Sequence, residues 1–146
     1  MASWKKKRRS IRRPFETAGF LFLKAAVPLL PRKGVVAVSR LAGRLAMALP
    51  LREKRIGMAN LDAVFGPAKT RREKRRILAS SFGTFCQTML DVFWFSRHPE
   101  KRIEKYVEIE PSPVLDLFFE DRPLICITAH MGSWEIMGQA MALKGV

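Results

Sequence analysis

From Thr70 onward, Ile77, Leu78, Phe82, Phe85, Cys86, Met89, Leu90 and Phe93 recur every three or four positions. That is the period of a helix with one apolar stripe. Thr70 and Glu73 stand at its head in the spacing of a capping box, where each side chain can satisfy the other's free amide. The pattern predicts a helix running to about Phe95 with the stripe turned into a core. Upstream, "VVAVSRLAGRLAMALP" has the same period, with Arg40 and Arg44 four apart on one face. Between the two, Gly57, Asn60, Gly66 and Pro67 are turn signals and predict a loop. His98, between Arg97 and Pro99, falls in a surface loop after the long helix.

Further on the rhythm changes. "KYVEIE" (105–110) alternates apolar and charged residues, the pattern of a short half-buried strand. Ser112 and Pro113 fit the N-cap and first position of a new helix, which Pro123 ends. "LICIT" (124–128) is wholly apolar or β-branched and suits a strand covered on both faces. "WEIMGQAMALKG" (134–145) returns to the helical period, with Gly145 as its stop. Strand, helix, strand, helix is an α/β order. The expected fold is therefore a helix-rich N-terminal region leading into a mixed or parallel sheet flanked by helices. Two strands do not make a stable sheet, so the chain reads as the truncated N-terminal part of a longer protein. Three segments follow: a basic head (1–14), an amphipathic, membrane-associating helical region (15–50), and an incomplete α/β domain (51–146).

Charge sharpens the picture. The net charge is +14, and its excess lies entirely in residues 1–76. "MASWKKKRRSIRRP" carries seven basic residues and no acid. A basic head before an apolar segment suits a helix lying on a bilayer, facing anionic headgroups. "FETAGFLFLKAAVPLLP" is interrupted by Glu16 and Lys24, so neither a clean membrane span nor a signal peptide is predicted. Cys86 and Cys126 lie in apolar stretches and belong to no C-x-x-C pair, so they read as buried thiols in a reducing compartment.

The candidate chemistry sits in "LICITAHMGSWEIM". His130 follows the apolar run, Gly132 permits a sharp turn or close approach, and Glu135 falls in the first turn of the next helix. A carboxylate accepting from one imidazole nitrogen fixes the tautomer and leaves the other nitrogen as a base. Such a pair can take a proton from a hydroxyl attacking a carbonyl carbon. Ser133 lies beside it but lacks the G-x-S-x-G elbow of a serine nucleophile. No second His or Cys cluster accompanies Glu135, so no metal site is expected.

"ITAHMGSWE" resembles the His-x-Gly-Asn-Trp-Glu block of the late acyltransferases of lipid A biosynthesis, members of the His-x4-Asp/Glu acyltransferase superfamily. "ANLDAVFG" is similar to that family's Asn-Leu…Phe-Pro block, at Asn60, Leu61 and Phe65. Ser133 stands where the family has Asn, and Gly66 where it has Pro. The resemblance implies a glycerolipid-acyltransferase-like fold and an acyltransferase of lipopolysaccharide synthesis. The donor would be an acyl-carrier-protein thioester, with no further cofactor, and the acceptor a hydroxyl of a lipid A precursor or of another membrane lipid. His130 would be the general base and Glu135 its orienting partner, with Gly132 and Ser133 adjacent to the site and the substrate-binding residues unassigned. Anionic membrane lipids and the carrier protein would be its partners, at the cytoplasmic face of the bacterial inner membrane. A segment with half its fold missing would be inactive alone. Two rival classes predict differently: a nucleic-acid-binding protein using the basic half, for which no binding signature is present, and a non-catalytic protein of the membrane surface, which would be indifferent to loss of His130.

Overall fold

The computed structural model describes the backbone of residues 2–145 other than Asp121, Arg122, Cys126, Thr128 and His130, and side chains from residue 14 onward. The described residues form helices and connecting segments: α1 (Ala2–Ala26), α2 (Arg32–Ala48), α3 (Arg52–Phe65), α4 (Arg71–Phe95), α5 (Pro99–Tyr106), a short α6 (Pro113–Asp116) and α7 (Trp134–Leu143).

Helix α4 is the axis of the molecule, and its most extensive contact is with α2. The two cross at glycines. A Cβ on Gly43 would lie 2.4 Å from the Ala79 carbonyl oxygen and 2.6 Å from the Gly83 amide nitrogen. Only a hydrogen at position 43 lets the backbones approach so closely. The buried residues of α2 are Val35, Ser39, Gly43 and Met47, spaced by four along one row. At the same crossing Ser39 turns its hydroxyl onto its own helix, donating to the Val35 carbonyl at 2.8 Å. Helix α3 joins through Gly57, where a Cβ would come within 2.5 Å of Leu78.

The main core lies at the far end of α4. Val27, Val35, Trp94, Phe95, Ile103, Ile136 and Ala140 form one buried cluster contributed by α2, α4, α5, α7 and the turn after α1. Trp94 anchors it. Its indole N–H donates to the Leu30 carbonyl at 2.8 Å, and the Arg102 guanidinium stacks 4.0 Å from its ring centroid. Arg102 also donates to the Pro28 carbonyl at 2.8 Å and to the Trp94 carbonyl. A single side chain thereby closes two segments 74 residues apart. Burial pushes the Arg102 pKa down, with Arg97 adding to the effect.

The α4 boundary and its cap agree with expectation. Thr70 Oγ1 accepts from the Glu73 amide at 3.3 Å, and the Thr70 amide donates to the Glu73 carboxylate at 2.7 Å. The Thr70 hydroxyl, then its amide, hold the Glu73 carboxyl below its usual range. Thr70→Ala is expected to cost about 1 kcal/mol, a typical value for a lost N-cap. Because the Glu73 pKa is depressed on folding, its contribution is complete above the ordinary carboxylate pKa and is lost as pH falls through the lowered value. Chemical denaturation of wild type and variant at neutral and acid pH should show the difference shrinking only on the acid side.

Several expectations are corrected. The sheet is absent: among the described residues there is no strand, and the α/β, glycerolipid-acyltransferase-like architecture is not found. Most of the α/β segment assigned to 51–146 is helical instead. "KYVEIE" fails because Pro99 starts a helix that continues through Tyr106, placing Ile103 in the core; Val107–Glu110 then has no regular structure. In "LICIT", Ile125 and Ile127 are more than 90% exposed. A strand exists only through a hydrogen-bonded neighbour, and no described segment provides one. Gly57 and Asn60 lie within α3, not in a loop, whereas Gly66 ends it with φ of +46°. The α4 stripe is only partly buried: Leu78 is covered, but Phe85 and Met89 face solvent. Cys86 is a half-buried free thiol, and Cys126 is outside the described residues.

Among the described residues no single helix is long and apolar enough to cross a membrane. Residues 32–48 and 52–68 together have the length and composition, but bend by 89° at their junction. Phe15, Phe20, Leu21 and Phe22 of α1 are all largely exposed.

Candidate functional site

Helix α7 begins at Trp134, which places Glu135 in its first turn as the sequence predicted. Gly132 has φ of +66°, the left-handed conformation that favours glycine. It turns the chain sharply before the helix. His130, the expected base, lies outside the described residues.

What surrounds the turn is described. Thr88, buried on α4, donates to the Thr84 carbonyl at 3.1 Å, and its hydroxyl also lies 3.4 Å from the Gly132 carbonyl oxygen. The Ile136 and Met137 amides close onto the Ser133 carbonyl, both at 3.1 Å. Ser133 occupies the N-cap position, yet its hydroxyl makes no capping bond. Its Oγ and the Oε2 of Glu135 are both buried, and neither has a hydrogen-bond partner among the described residues. Buried polar atoms are nearly always satisfied.

Ser133 lines a cleft of about 850 Å³. Its walls are mostly apolar, with Phe95, Ile136 and Met137 among them, and Arg32, Gln87 and Asp91 form a polar patch. Asp91 receives both guanidinium nitrogens of Arg32, one of them at 3.1 Å. Arg32 also lies over the rings of Trp94 and Phe95, at 5.2 and 5.6 Å from their centroids. The fork is thus held flat and two-pronged on the carboxylate.

Thr88, Asp91 and Arg32 were not read from the sequence as parts of this region. Asp91 left a trace, an acid embedded in "TMLDVFWF". Nothing local ties Arg32 to it across 59 residues. Among the described residues no group of three or more His, Cys, Asp or Glu side chains is gathered in metal-holding range.

A family model described as bacterial lipid A biosynthesis acyltransferase matches residues 2–146. No curated protein and no solved structure matches the chain.

Proposed function

This chain belongs to the bacterial lipid A biosynthesis acyltransferase family, and on that premise we propose that it moves a fatty acyl chain from an acyl-carrier-protein thioester to a hydroxyl of a lipid A precursor. The match over residues 2–146 carries the reading. The His130-x4-Glu135 spacing inside it, with Glu135 in the first turn of α7, supports its chemistry.

His130 takes the proton from the acceptor hydroxyl as that oxygen attacks the thioester carbonyl carbon. The C–O bond forms, the tetrahedral intermediate collapses, and the C–S bond breaks. The proton held on His130 passes to the departing thiolate. Glu135 Oε2 accepts from the other imidazole nitrogen, which sets the tautomer and stabilises the imidazolium. No acyl-enzyme forms. The apolar cleft beside Ser133 accommodates the acyl chain, and Gly132 leaves room for the thioester. The enzyme works at the cytoplasmic face of the inner membrane, held by its basic head and by the exposed phenylalanines of α1.

The test uses membranes from cells making the protein from its own reading frame, given acyl carrier protein loaded with a fatty acid and a lipid A precursor. The expected product is the precursor heavier by one ester-linked acyl chain, with matching release of free carrier thiol. Acyl transfer only to another lipid would overturn the acceptor, and hydrolysis without transfer would overturn the reaction.

A further inference from the structure

We propose that Thr88 of α4 is a positioning residue of the reaction site, whose buried hydroxyl holds the Gly132 turn and, through that turn, Glu135. The proposal rests on the reading that Glu135 serves acyl transfer.

Thr88 is 8% exposed. Its hydroxyl reaches two carbonyl oxygens, that of Thr84 at 3.1 Å and that of Gly132 at 3.4 Å. A hydroxyl has one proton to give, so the two carbonyls share it. The Thr84 carbonyl has no need of it, because in an α-helix it already receives the amide four residues on. A side chain bonding back onto its own helix even destabilises that helix slightly. Valine has the same branched shape and would pack on α4 without the cost of burying a hydroxyl. The contact with Gly132 spans 44 residues of chain. It is the turn, not the helix, that gives this hydroxyl a use.

The turn needs such a hold. Gly132 takes a φ of +66°. A Cβ there would meet no described atom beyond its chain neighbours within 4 Å, so packing does not brace that side. Helix α7 beyond it is anchored differently, by Ile136 and Ala140 in the core. Glu135 lies between the two attachments, in the first turn of the helix. With Ile136 alone holding it, the segment before α7 could pivot; a tie at Gly132 removes that freedom. The other end of the tie is stiff. Gly43 clamps α4 at Gly83, about 7.5 Å along the helix from Thr88. Asp91, about one turn in the other direction, is held by Arg32. Placement of this kind matters to rate, since an error of about 1 Å in a reacting group can cost about a hundredfold.

Protein made from its own reading frame is measured in two ways. In acyl transfer, Thr88→Val should lower kcat about tenfold with KM unchanged, and Thr88→Ser should restore most of the loss. In a Glu135→Gln background the same Thr88→Val should change kcat little, because both act through one group. Thr84→Val, the same exchange at an exposed position of α4, should leave kcat as it was. Hydrogen exchange needs no turnover. The Met131, Ile136 and Met137 amides, all hydrogen-bonded around the turn, should exchange several-fold faster in Thr88→Val, while those of residues 140–143 stay as in wild type. Wild-type kcat in Thr88→Val, or a loss just as large in the Glu135→Gln background, would overturn the positioning role. Exchange rising equally along all of α7, or not at all, would overturn the tie. Wild-type protein that transfers no acyl chain would overturn the enzymatic reading instead, and exchange would still decide whether Thr88 holds the turn.

Discussion

His130→Ala is expected to lower acyl transfer by about 10²–10⁴-fold, the usual contribution of a positioned general base, with little change in melting temperature. The pH profile carries the finer test. The proposed mechanism needs a neutral imidazole, so kcat/KM should fall on the acid side. A carboxylate paired with that imidazole would favour its protonated form. Glu135→Gln keeps the shape, removes the charge, and should move the acid limb to lower pH as well as slow the reaction. Undiminished turnover in His130→Ala would refute the base. An acid limb unmoved in Glu135→Gln would leave Glu135 as a packing residue of α7.

Asp91→Ala should strongly destabilise the core. The Asp91 side chain is 5% exposed and that of Arg32 21%. Removing one member of such a pair leaves the other charge poorly solvated, which costs about 3–5 kcal/mol when both are fully buried. Arg32 retains some water, so the lower end, about 3 kcal/mol, is expected. Replacing both, as in Arg32→Met/Asp91→Leu, should recover most of the loss, because an apolar pair of similar volume avoids the desolvation altogether. Urea titrations of wild type, Arg32→Met, Asp91→Leu and the double variant complete the cycle. A double variant as unstable as Asp91→Ala would show that the pair fixes the cleft by geometry and not by charge.

How far the sequence revealed the fold depended on how local each cause was. Thr70 with Glu73, Ser112 with Pro113, and the start of α7 at Trp134 are set within four residues, and all were readable. The long helix from Thr70 was equally clear, but its buried face was not. Apolar letters suggested Phe85 and Met89, whereas the crossing with α2 selects Gly83 and the ion pair selects Asp91. Both depend on a partner far away in the chain. The expected strands failed for the same reason: alternation and β-branching describe a segment's fitness for pairing, not the presence of a neighbour. Gly57 misled as a turn signal because its role is to admit Leu78 against α3. At the candidate site, Glu135 took its expected place in the first turn. The burial of its Oε2 and of Ser133 Oγ is invisible in sequence, since it depends on the elements packed around the start of α7.

Helix α4 gathers arginines near its first turns and meets the Gly132 turn through Thr88 near its other end. An α-helix hardly stretches along its axis, because every residue is tied by hydrogen bonds to the turn before it. The same rod is clamped midway, where Gly43 and Gly83 bring two backbones almost into contact. The first turn of α4 is therefore kept at one fixed stand-off from the turn that precedes Glu135. The helix is a spacer bar, and its length in turns sets that interval.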